Sequence, residues 1–169
     1  SAGPMEMPLL SVGATLKTYR LALASTGEYS AAVGGTTALV HAELVTATNR
    51  VIGIYERELA IRMTLVANND SLIYLNSGTD PYSNNNASSL LTENQANLDS
   101  VIGSASYDIG HVFSTGGGGL AGLGVVCRAG QKARGETGSS VPLGDAFYVD
   151  YVAHEMGHQF GGNHTFNGS

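Results

Sequence analysis

At 169 residues, 43% of them hydrophobic, the chain suits one compact domain with a substantial core. Its net charge is −6 and its eight lysines and arginines are scattered, so the basic footprint of a nucleic-acid binder is missing and an anionic membrane is a poor partner. No uninterrupted apolar run reaches membrane-spanning length. The start, Ser1-Ala2-Gly3-Pro4, has neither the basic residues nor the apolar stretch of a signal peptide. A single cysteine, Cys127, leaves no disulfide within these residues, a usage that alone suits a reducing compartment.

Residues 15–25 alternate, with Lys17, Tyr19, Leu21 and Leu23 on one face, and predict a strand. From Thr36 to Tyr55, Val40, Leu44, Ala47 and Val51 fall on one helical stripe. Leu59, Ile61, Met63 and Leu65 return to period two, a second strand. Residues 76–88 are polar loop, including the run Asn84-Asn85-Asn86. Thr92 and Gln95 have capping-box spacing and predict a helix that stops at Gly103. Residues 107–114 read as a strand with Tyr107, Ile109, His111 and Phe113 facing one way. Glycines 116–119 lead to a short apolar segment ending at Cys127; residues 128–144 read as loop and about 146–160 as the last helix. The order of elements predicts an α/β fold of the α+β type, with a mixed, mostly parallel twisted sheet flanked by helices.

The last helix carries the chemistry. At ~100° per residue, Val149, Val152, Ala153, Met156 and Phe160 cluster on one side, and His154 and His158 lie one turn apart on the other. The stripe anchors the helix and the imidazoles project away from it. Gly161 and Gly162 let the helix end in a sharp turn, from which His164 can swing back as a third ligand. Three neutral imidazoles leave one tetrahedral position of a Zn2+ ion for water, the arrangement of a catalytic rather than a structural site. Glu155 emerges beside the first histidine, placed to act as the base toward that water.

His154-Glu155-x-x-His158-x-x-Gly161-x-x-His164 is the signature of the metzincin metallopeptidases, and the chain resembles their reprolysin (adamalysin-like) branch. The resemblance covers about residues 15–166 and is most specific in 154–164. It implies a zincin-like catalytic N-terminal subdomain over 1–169, with the C-terminal subdomain and its Met-turn absent from this chain. It further implies a zinc-dependent endopeptidase, secreted, acting on protein or peptide substrates. By the same likeness, Leu120, Ala121, Gly122, Leu123 and Gly124 belong to a Gly-rich edge strand that pairs with the backbone of an extended substrate. The cysteine that closes that strand, Cys127, would pair with one beyond the zinc helix. Thr165 stands where reprolysins usually carry Asp, and residues 15–25 contain no acidic residue, so no calcium is expected.

The other polar residues read as structural. His41 belongs at a surface boundary, His111 in the core with hydrogen bonds, Asp145 at the N-cap of the last helix and Asp150 early in that helix. Tyr148 and Tyr151 lie near the start of the last helix, and the sequence does not decide whether they line the cleft. Two functions remain: a zinc endopeptidase, or a catalytically silent zinc-binding scaffold or interaction module. Glu155 favours the first.

Overall fold

The computed structural model describes residues 15–163. Five strands form one sheet in the order β2-β1-β3-β5-β4: β1 (Lys17–Ser25), β2 (Ile61–Leu65), β3 (Ile109–Ser114), β4 (Gly118–Ala121) and β5 (Gly135–Gly138). All neighbours run parallel except β4, which pairs antiparallel with β5 at the sheet's edge. This is the mixed, mostly parallel sheet that the order of elements predicts.

Parallel strands need crossovers, which put helices on both faces and bury the central strands twice. The last five residues of β1 and all six of β3 are accordingly buried. One face packs Leu21, Leu23, Ile109 and Phe113 against α2 (Thr37–Leu59), whose Val40, Leu44, Ala47 and Val51 are fully buried as their stripe predicts. The other face packs Ala22, Ala24 and Val112 against Leu90 and Leu98 of α3 (Ala87–Val101). A short α1 (Gly27–Ala32), capped by Thr26, follows β1 and adds Tyr29 to the first core.

Several boundaries differ from the sequence-based expectation. α3 begins five residues before Thr92, because Asn86 caps it by accepting from the Ser89 amide at 3.1 Å. Thr92 is an exposed mid-helix residue, and Gln95 turns inward to accept from the Ala133 amide at 2.8 Å. The asparagine run therefore holds a cap rather than plain loop. Gly103, at φ +84°, does follow the helix end. Tyr107 precedes β3 and packs on the α3 side, not with Ile109 and Phe113. β5 lies inside the stretch expected to be loop; its four residues, Gly-Glu-Thr-Gly, carry no apolar alternation yet are all buried.

The last helix has two parts. Residues Ala146–Val152 form a π-helical segment that runs into α4 (Ala153–Gln159). Phe147, Tyr148, Val152 and Met156 enter the first core, so Tyr148 is core rather than cleft, whereas Tyr151 is exposed. Asp145 makes no side-chain capping bond; its carboxylate instead pairs with Arg50 at 2.7 Å across the groove to α2. Position and burial of α4 are what the site is built on.

Candidate metal centre

α4 lies alongside the edge strand. A cleft of about 390 Å³ between them is lined by Gly119, Leu120, Ala121 and Leu123 on one side and by His154, Glu155, His158 and Asn163 on the other. The i, i+4 spacing puts both imidazoles on one face, as the helical period requires. Their Nε2 atoms are 3.0 Å apart and the rings stand nearly perpendicular, at 88°. The two nitrogens share a hydrogen bond at that distance, and two imidazoles bound to one tetrahedral zinc at ~2.0–2.1 Å would stand about 3.3 Å apart, a small displacement from it.

The tautomer of His158 suits a ligand. Its Nδ1 lies 2.6 Å from the carbonyl oxygen of Gly162, which can only accept, so Nδ1 carries the proton and Nε2 keeps its lone pair. That carbonyl is held by the turn ending α4. Gly161 adopts φ +104°, and Gly162 donates to Gly157 O at 2.8 Å while Gly161 donates to His158 O at 2.9 Å. These are the paired bonds of a Schellman end with glycine in the left-handed position. The sharp turn expected at Gly161 is thus present.

His164, the expected third ligand, lies outside the described residues. Among the described residues no group of three or more His, Cys, Asp or Glu side chains is gathered to hold a metal ion. His154 and His158 are a facing pair, and the donor set as described is two imidazoles.

Glu155 is 9% exposed and points at the edge strand. A Cβ built on Gly119 would stand 2.6 Å from Glu155 Cγ and 2.7 Å from its Oε1, so the carboxylate occupies the space a side chain would take. Across the sheet, Glu136 on β5 is 2% exposed; burial, and secondarily the charge of Glu155, raise its pKa from 4.5 to about 7. No sequence signal marks Glu136, because a lone Glu in the Gly-rich run Gly135-Glu136-Thr137-Gly138 reads as loop.

The backbone of the edge strand divides into two kinds. Gly122 donates to Arg134 O at 2.8 Å, one step beyond the Ala121↔Gly135 pair. Ladder bonds therefore fall on Gly118, Leu120 and Gly122, and the alternation of an antiparallel pair turns the N–H and C=O of Gly119 and Ala121 outward. Of the residues expected to meet substrate, Leu120, Ala121 and Leu123 line the cleft. Gly122 extends the ladder, and Gly124, at φ +63°, donates to His158 O at 2.9 Å and ties the loop to α4. Cys127 is exposed, at φ +62°, with its amide donating to Asp108 O.

The remaining histidines behave as read. His41 is exposed and pairs with Asp70 at 2.5 Å. His111 is fully buried, between Gln159 Oε1 at 2.7 Å and Thr137 Oγ1 at 2.8 Å.

A mostly parallel five-stranded sheet, with one antiparallel edge strand and a His-Glu-x-x-His helix beside it, is the catalytic subdomain of a metzincin. The family model for metallopeptidase family M12B, reprolysin-like, matches residues 15–169, and the chain belongs to that family. No curated protein matches it. Metallopeptidases of this family use zinc in general. No helix among the described residues is long and apolar enough to cross a membrane.

Proposed function

We propose that this metallopeptidase is a secreted zinc endopeptidase, with His154, His158 and His164 holding one zinc ion and Glu155 serving as general base. The observation that carries the reading is the pair of Nε2 atoms facing each other at 3.0 Å in the cleft beside the edge strand. Secretion follows the typically extracellular location of the family.

When bound, zinc supplies Lewis acidity to a water molecule and to the carbonyl that is cleaved. Glu155 takes the proton of the attacking water and delivers it to the departing amine. Its seat against Gly119 restricts where the carboxylate can go, which favours one productive position. The outward N–H and C=O groups of Gly119 and Ala121 on β4 receive an extended peptide as an added strand. Leu123, 55% exposed, offers apolar contact from the turn that follows β4. On this reading a C-terminal subdomain supplies the far wall of the cleft.

The test is hydrolysis of an internally quenched peptide by the zinc-loaded protein, after chelation, and after reloading. Cleavage stops with chelator and returns with zinc. Glu155→Ala retains zinc and loses roughly 100- to 10,000-fold in rate, the usual weight of a general base. Equal cleavage by Glu155→Ala overturns the mechanism; zinc binding by a complete protein that cleaves no peptide identifies a silent scaffold instead.

A further inference from the structure

Gln159 follows the ligand His158 directly and is fully buried. Its Nε2 donates to the carbonyl of Gly110 on β3 at 2.8 Å. That contact orients the amide, so Oε1 faces His111 Nδ1 at 2.7 Å and accepts its proton. His111 Nε2 is then a bare lone pair, and the Thr137 hydroxyl on β5 donates to it at 2.8 Å. Every donor and acceptor in the chain of contacts has one role, and α4, β3 and β5 are joined by it. Burial keeps His111 neutral, with its pKa lowered to about 4, which the arrangement requires.

Room for this network is made by β5. A Cβ on Gly135 would stand 2.4 Å from Gln159 Cδ and 2.4 Å from Oε1. The opposite side of the same helical turn is held by backbone: Gly124 donates to His158 O at 2.9 Å and Val126 to Gln159 O at 3.2 Å. An apolar side chain of equal size would fill the space without direction. Directional bonds set the rotation of the turn about the helix axis.

We infer that His111, Gln159 and Thr137 are positioning residues that set the rotation of the last turn of α4, and thereby the distance between the metal-binding nitrogens of His158 and His154. The inference rests on the zinc reading above. Two nitrogens that must meet one ion tolerate displacements of a few tenths of an ångström, so loosening this turn weakens the metal before it unfolds the domain. A group bonded directly to a ligand imidazole, as Gly162 O is to His158, typically contributes roughly 10- to 100-fold in metal affinity; the His111, Gln159 and Thr137 network acts through the helix backbone instead, and the expected effect lies toward the lower end of that range.

The experiment compares the full protein with Gln159→Met, Thr137→Val and the double variant His111→Leu/Gln159→Leu. Zinc affinity is read by chelator competition, coordination by the Co2+ absorption spectrum, and folding by thermal unfolding of the metal-free form. Expected is a loss of about 10-fold or more in zinc affinity for Gln159→Met and several-fold for Thr137→Val, each with an altered cobalt spectrum. The double variant removes both members of the His111–Gln159 bond at once, so it should fold better than Gln159→Met although Gly110 O and the Thr137 hydroxyl each lose a partner, and it should not recover affinity. Thr137→Val, which deletes one hydroxyl, carries the test if the others fail to fold. Unchanged affinity and spectrum in folded variants overturn the inference, as does a double variant that recovers both folding and affinity. Failure of the unmodified protein to bind zinc overturns the proposed function itself, and the inference with it.

Discussion

Gly119→Ala tests whether the edge strand seats the carboxylate of Glu155, the proposed general base. The added Cβ would stand 2.6 Å from Glu155 Cγ, whereas ordinary van der Waals contact begins at 3.4 Å. The carboxylate must therefore retreat by about 0.8 Å (3.4 − 2.6). A misplacement of about 1 Å can cost 100-fold in rate, so kcat should fall by roughly 30- to 100-fold. His154 and His158 are not among the nearest atoms met by the new methyl group, so zinc affinity by chelator competition should change little. Gly117→Ala is the control: a Cβ there meets nothing within 4 Å, and kcat should be unaltered. Quenched-peptide kinetics on zinc-loaded protein give both numbers. If Gly119→Ala turns over within about threefold of the unmodified protein while correctly folded, the carboxylate is not seated where the geometry puts it, and the argument from Gly119 fails.

Three further predictions follow from buried polar groups. His111, with its pKa lowered to about 4, stays neutral while an unfolded histidine protonates near 6.5; the unfolded state then binds the extra proton, and stability is lost as pH falls from 6.5 toward 4, by about 3 kcal/mol in all. Glu136, raised to about 7, acts in the opposite sense: the folded state holds a proton that the unfolded state has released, and stability is lost as pH rises from 4.5 toward 7, by a similar amount. The two slopes oppose each other, so Glu136→Gln should make metal-stripped protein more stable at pH 8 than the unmodified chain and unmask a decline below pH 6.5 in thermal unfolding; identical pH profiles would refute the assignment. Asn69, 2% exposed, accepts from the Leu23 amide at 2.8 Å and donates to the Leu23 carbonyl at 2.9 Å, completing β1 as a neighbouring strand would. Asn69→Ala leaves both groups buried and unsatisfied, and chemical denaturation should show a loss of about 2–4 kcal/mol.

Where burial follows a period, the amino-acid pattern was sufficient. The stripe of α2 and the apolar faces of β1 and β3, apart from Tyr107, lie where the period puts them, because each element meets a continuous partner surface. The facing of His154 and His158 and the turn at Gly161 are legible for another reason: two side chains on one helix meet when they are a turn apart, and glycine lets the chain turn after them. The spacing of Thr92 and Gln95 puts the start of α3 too late, because Gln95 serves a buried amide and Asn86 satisfies the first turn. The π-helical segment of Ala146–Val152 left no mark, since its residues are compatible with an ordinary helix and only the register of its bonds differs. Asp145 looked like a cap, yet Arg50, 95 residues earlier in the chain, takes it.

β4 and β5 evade periodicity for the same reason that they serve the site. A strand is recognised by side chains that alternate between core and solvent, and these two strands carry glycine where α4 presses closest. Gly119 leaves the space that Glu155 fills, and Gly135 leaves the space that Gln159 fills. A larger residue at either position would strengthen the strand pattern and push the helix off the sheet edge. The helix must lie that deep, because Glu155 has to reach from α4 to the edge strand, while Gln159 must contact β3 beneath it. The part of the fold least visible in the hydrophobic pattern is therefore the part in which backbone, rather than side chains, sets the distance between α4 and the strand beside it.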